Sequence, residues 1–151
     1  MNDQKIQDIC EQVVQSEGFF FIEMTIRGQR DKKIIEIFID APGSLSVDDC
    51  AVINRKIGDE LEAHELLHDI TRLDVSSPGV DRPLRFLQQY PKHIGRILEM
   101  QVVEEGKPDE VITGRLRDID GEMLFITKKD RSEISIKFSS IKTAIVRISF
   151  T

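Results

Sequence analysis

Residues Leu73–Leu84, LDVSSPGVDRPL, close a run of alternating apolar residues and open a half of different composition. Pro78 followed by Gly79 suits a type II turn, because proline presets φ at the first central position and glycine accepts positive φ at the second. Pro83 fixes a further φ and removes a backbone donor. Two prolines and a glycine within six residues make a stiff, shaped connection, unlike a flexible tether. Asp81 and Arg82 place opposite charges inside it. By residue type alone this is an interdomain turn carrying a surface ion pair.

Upstream of this joint, Ile6, Ile9, Cys10, Val13 and Val14 recur at helical spacing, so residues 3–17 read as an amphipathic helix with Gly18 just past its end. Phe20, Ile22, Met24 and Ile26 then alternate with Phe21, Glu23, Thr25 and Arg27, the pattern of a half-buried strand. GQRDKK makes a polar turn into a second strand with Ile35, Ile37 and Ile39 on one face, stopped by Pro42 and Gly43. Ser46 with Asp49 three residues on forms a capping box for a helix from Val47 to about Ala63, with Val47, Cys50, Ala51, Ile57 and Leu61 mostly on one side. Leu73 and Val75 belong to a third strand. The order α-β-β-α-β predicts a three-stranded sheet with both helices on one face.

Downstream, RFLQQY forms a short helix ended by Pro91 within a linker over 85–91. Short strands with closely spaced turns follow: Arg96–Val103, Val111–Ile119, Glu122–Thr127, Glu133–Phe138 and Thr143–Ser149. Asp120-Gly121 is a two-residue hairpin signal. Gly114 inside a strand predicts a bulge or sharp bend, and Ser139-Ser140-Ile141 a tight helical turn. Five short strands in about 60 residues fit a small SH3-like or Sm-like barrel. The predicted fold class is α+β, with an N-terminal domain over 1–84 and a five-stranded β-barrel over 92–151.

The 151 residues carry a net charge of −6, unevenly spread. Residues 1–90 hold 10 basic against 17 acidic residues, and 91–151 hold 11 against 10. An acidic first half disfavours plain phosphate-backbone binding and suits a basic protein partner. No apolar run approaches the roughly 20 residues that span a bilayer. The start, MNDQKIQDIC, has neither a secretory nor a transit-peptide pattern, which predicts a cytoplasmic protein without a membrane partner. Cys10 and Cys50 sit at apolar helix positions and read as buried reduced thiols.

The sharpest enzymatic pattern is His64-Glu65-Leu66-Leu67-His68, a literal HExxH. On a continuous helix the two histidines would share a face and hold zinc, with Glu65 as general base. The extended metzincin spacing would place a glycine at 71 and a ligand at 74, where this chain has Thr71 and Asp74. The competing reading is a helix end at which His64 and His68 complement the negative dipole terminus. Asp48 and Asp49 read as a helix start in preference to an acid/base pair. There is no Gly-rich phosphate loop, no nucleophile elbow and no activated cysteine pattern. The expectation is a non-enzymatic protein without cofactor or metal.

Arg115 and Arg117 point to one side of a predicted strand, and Lys128, Lys129 and Arg131 cluster in a turn. Together they are candidate contacts for RNA phosphates or an acidic surface. Asp118, Asp120, Glu122 and Asp130 interrupt that patch, and the phenylalanines sit mostly at core positions, which argues against a base-stacking platform. A general small-barrel RNA-binding protein is therefore an alternative reading, as is a zinc hydrolase built on His64, Glu65 and His68.

SSPG, a hydrophobic residue, then DRPL resembles the signature of the bacterial ribosome maturation factor RimP family. SLSVDDC (Ser44 to Cys50) resembles that family's segment at the start of its second helix, and the order of elements fits over nearly the whole chain. The resemblance implies an α/β domain followed by an SH3-like barrel. It also implies a role in late maturation of the small ribosomal subunit, by binding immature particles before translation. The implied partners are small-subunit ribosomal protein twelve and small-subunit rRNA. On this resemblance Ser77, Pro78, Gly79, Asp81, Arg82 and Pro83 are the first functional candidates, for partner contact or for setting interdomain geometry. HELLHDI departs from a family loop that often contains proline. Thr71 stands where an aromatic is common, and no basic tail follows the last strand.

Overall fold

A computed structural model of the chain describes residues 2–78 and 82–147. These fall into two units, Met1–Pro78 and Gly79–Thr151. The first contains α1 (Asn2–Ser16), β1 (Phe20–Gln29), β2 (Lys32–Asp40), α2 (Val47–Ala63) and β3 (Ile70–Ser76). Its sheet runs β1-β2-β3, with β1 antiparallel and β3 parallel to β2. Parallel neighbours need a crossover, and α2 supplies it.

The middle strand carries the core. Ile35, Ile37 and Ile39 are fully buried and pack with Ile6, Ile9, Cys10 and Val14 of α1 and Ile53, Ile57 and Leu61 of α2. One row of isoleucines thus receives both helices, which lie on a single face of the sheet, as predicted.

Two local expectations change. In β1 a bulge between Phe21 and Glu23 resets the alternation, so that Phe21 faces Ile39 while Met24 faces Ile37 and Ile26 faces Ile35. A bulge sets two residues against one partner, and so Phe21 takes the core position assigned to Phe20. In α2 the buried stripe is Ile53, Ile57 and Leu61, with Cys50 packed at its edge. Val47, in the first turn, is 85% exposed, and Ala51 is exposed too. The capping box forms as predicted: Asp49 N–H donates to Ser46 Oγ and Ser46 N–H to Asp49 Oδ2, each at 3.0 Å.

The second unit contains β4 (Ile97–Val102), β5 (Glu110–Asp120), β6 (Met123–Lys128), β7 (Glu133–Lys137) and β8 (Ile141–Arg147). They form an antiparallel sheet in the order β7-β6-β5-β4-β8. Leu98, Met100, Leu116, Leu124, Ile126, Ile136, Ala144 and Val146 meet in one core. All five strands contribute to it, which makes the sheet barrel-like. Tyr90 is buried in the same core, and Leu84 and Leu87 pack against it. Leu84 N–H donates to the Ala144 carbonyl at 2.7 Å, so the chain from Leu84 onward is part of this unit. The short helix expected in RFLQQY is two 3-10 turns, Leu87–Gln89 and Pro91–His93. Pro91 opens the second of them, because proline loses no hydrogen bond at a first helical position.

Gly114 marks a close approach, not the predicted bulge. It lies in register opposite Leu98 and Lys128, where a Cβ would collide with the Ile126 side chain and crowd the Thr127 carbonyl. The bulge itself falls between Leu116 and Asp118. The hairpin turn is Gly121-Glu122, one residue later than predicted, since Asp120 still pairs with Met123. Gly121 at φ +59 fits a turn whose first central residue is left-handed. The tight turn before the last strand is Phe138–Ser140, and that strand begins at Ile141, with predicted residues 148 and 149 outside the described residues.

Candidate functional site

Of the joint residues, Ser77 is exposed and Pro78 half-buried at the end of the first unit, while Arg82 is half-buried and Pro83 exposed in the second. Gly79 and Asp81 lie outside the described residues, and with them the predicted turn and the Asp81–Arg82 pair. In each unit a side-chain amide holds the backbone next to the joint. Asn54 of α2 donates through Nδ2 to the Leu73 carbonyl at 2.9 Å. The buried Gln89 accepts at Oε1 from the N–H groups of Arg85 (2.7 Å) and Phe86 (2.8 Å). A carboxamide that takes two backbone donors satisfies groups that burial would otherwise penalise. Neither residue was identified from the sequence; Gln89, four residues beyond Arg85, carries no recognisable pattern.

The HExxH stretch is a helix stop. α2 ends at Ala63, His64 is its C-cap, and Glu65 takes a left-handed φ of +58. Leu66 N–H donates to Leu61 O (2.8 Å) and Glu65 N–H to Glu62 O (3.0 Å), the two bonds of a Schellman motif. Leu66 then buries against the core containing Leu61, the apolar contact that accompanies such a stop. His64 Nδ1–H donates to the Glu60 carbonyl at 2.9 Å, which bears out the reading of a histidine answering the helix's negative end. His68 lies in the separate 3-10 turn Leu67–Asp69, with Nε2 3.4 Å from Asp69 Oδ1. A zinc-binding pair at i and i+4 needs an unbroken helix, and this one is broken between the two histidines. Asp74, the candidate third ligand, pairs with Arg72 at 2.7 Å. The hydrolase reading is overturned by this backbone.

Burial pushes the Cys10 thiol up to about 12, and burial together with neighbouring Asp49 also raises Cys50. Both cysteines are therefore thiols at neutral pH, without the thiolate character that a nucleophile requires.

The five candidate cations come together on the second unit. Arg115 pairs with Thr127 across the sheet and Gly114 with Lys128, so the start of the β6–β7 turn lies beside the arginine strand. Arg115 donates to the Gly95 carbonyl, while Arg117, at the bulge, makes no ion pair or side-chain hydrogen bond among the described residues. In the turn Arg131 is left-handed at φ +72, and its N–H donates to the Lys128 carbonyl at 2.9 Å. Asp130 accepts from Ser132 N–H (2.9 Å) and Ser132 Oγ–H (2.5 Å). These bonds hold its carboxyl below the usual range. Two residues before Thr127 and opposite Asp118, on the side of the arginines away from the turn, stands Phe125, 38% exposed on the outer face. It is an exception to the mostly core placement of the phenylalanines. Leu124 and Ile126 are buried on either side of it, and strand alternation turns Phe125 outward.

The charge asymmetry is sharper by unit than by sequence half. The first unit has 8 basic and 16 acidic residues, and the second 13 and 11. No helix among the described residues is long and apolar enough to cross a membrane.

Residues 9–81 match a family model described as the RimP N-terminal domain. The first unit therefore carries the N-terminal domain of the RimP family. RimP proteins are ribosome maturation factors and act without catalysis. The RimP match takes in the capping box, the Schellman stop and the segment SSPGVD of the joint. Apart from its first three residues, the second unit lies beyond the matched residues.

Proposed function

We propose that this chain is a non-enzymatic maturation factor of the cytoplasm that binds immature small ribosomal subunits, through small-subunit ribosomal protein twelve, rRNA or both. The RimP match over residues 9–81 carries this reading. Its physical support is the surplus of eight carboxylates on the matched unit. Ribosomal proteins that meet rRNA are basic, and an acidic unit is steered toward such a protein and shields its charge until rRNA replaces it. The joint residues Ser77, Pro78, Gly79, Asp81, Arg82 and Pro83 serve the same binding in this proposal. They act chiefly through backbone geometry, since prolines and a glycine offer no chemistry of their own.

The test is sedimentation of a tagged full-length copy through a ribosome gradient at several salt concentrations. The protein is expected with free small subunits, absent from translating ribosomes, and released as salt rises. Migration with translating ribosomes would overturn the assignment, and association indifferent to salt would overturn the steering account.

A further inference from the structure

The outer face of β5, β6 and β7 holds a cavity of about 350 Å³ lined by Arg117, Phe125, Thr127, Glu133, Ile134 and Ser135. Strand register explains its build. One row across the sheet runs Asp118, Phe125, Ser135, and the next runs Arg115, Thr127, Glu133. The bulge after Leu116 sets Arg117 beside both rows. The cavity thus has an aromatic surface, a guanidinium without a partner among the described residues, and hydroxyl and carboxylate groups around them. The Thr127 hydroxyl is buried and has no hydrogen-bond partner among the described residues.

We propose that this cavity takes one unpaired nucleotide of an RNA strand, its base against Phe125, its phosphate at Arg117 and the strand continuing along the Lys128–Arg131 turn. The inference rests on the maturation reading only for the source of the RNA. Three features select this occupant. The volume is at the small end of ligand pockets and suits a single base with its sugar, while a duplex offers no free base face. Base stacking on an aromatic ring tolerates any base. Around it Arg115, Arg117, Lys128, Lys129, Arg131 and Lys137 stand against Asp118, Asp120, Glu122, Asp130 and Glu133, a small positive surplus in a chain whose net charge is −6. Asp130 is moreover occupied by Ser132. A basic side chain would also fit between Phe125 and Glu133, but it would face this surplus of positive charge.

The test is fluorescence anisotropy of the full-length protein with labelled single-stranded oligouridine and oligoadenosine of about ten nucleotides, a length within the footprint of small barrels. Both are expected to bind better than a duplex of equal length. Phe125→Ala weakens binding about five- to a hundredfold and Phe125→Tyr restores it. Arg117→Ala weakens binding and lowers the salt slope by about one. Circular dichroism checks that the variants are folded. Wild-type affinity in folded Phe125→Ala, equal binding of duplex, or capture of a polylysine peptide that Phe125→Ala abolishes would overturn the proposal. Wild-type protein that sediments with small subunits but binds no oligonucleotide would remove the pocket and leave the maturation reading standing. Phe125-dependent RNA binding without sedimentation would do the reverse.

Discussion

The two sheets cover their apolar faces by different means. In the first unit two helices lie over a row of isoleucines, and the shared core is aliphatic apart from Phe21 and Cys10. In the second the barrel-like sheet surrounds its own core, and the 84–93 segment packs against it, bringing buried Tyr90 and Gln89 with it. Helices approach a sheet with side chains of adjustable size. A curled sheet brings backbone close to backbone, so it needs a glycine at the tightest point. The first core therefore depends on bulk being present, and the second on bulk being absent.

The strongest break of that contrast is Ile37→Ala. It removes the centre of the isoleucine row and is expected to cost the first unit about 2–5 kcal/mol, read as an earlier urea transition. A cost below about 1 kcal/mol would show that the helices can close the gap. Gly114→Val is the counterpart in the second unit. Its new carbons meet Ile126 and the Thr127 carbonyl, and overpacking of this kind costs about 1–3 kcal/mol. Unchanged unfolding would remove close approach as the reason for this glycine.

Two smaller effects are gains. The Tyr90 hydroxyl is buried and has no hydrogen-bond partner among the described residues, so Tyr90→Phe is expected to stabilise the second unit by about 1 kcal/mol. Burial also raises the Tyr90 pKa above its ordinary value. The unfolded chain ionises first, so native stability falls as pH rises past about 10. The phenylalanine variant lacks that component, and denaturation at alkaline pH measures the difference. The smallest gain is expected from Glu65→Gly, about 0.5–1 kcal/mol, because glycine adopts left-handed φ without the steric penalty of a side chain. Loss of stability in this variant would contradict the Schellman assignment. The end of α1 is the comparison: it carries the same pair of bonds, with glycine already present at Gly18, φ +86.

These positions also show what could be read without coordinates. Ser46 and Asp49 were legible because a capping box is complete within four residues. The row Ile35, Ile37, Ile39 was legible because strand alternation is local. The stop at Glu65 was not, since it depends on Leu66 folding back to bury beside Leu61, while the letters HELLH suit a continuing helix equally well. The bulges at Phe21/Glu23 and Leu116/Asp118 are properties of strand pairing, which one strand's sequence does not contain. Phe125 was within reach, because Leu124 and Ile126 already claim the inner face. Reading the phenylalanines as mostly core left the outward one unnamed.

Asn54 has a consequence for company. β3 pairs with β2 alone among the described strands, and such margins invite other chains to add themselves. With the Leu73 carbonyl already occupied by the helix amide, a stray strand finds one rung of the ladder taken. That edge is thereby less readily zipped onto another chain.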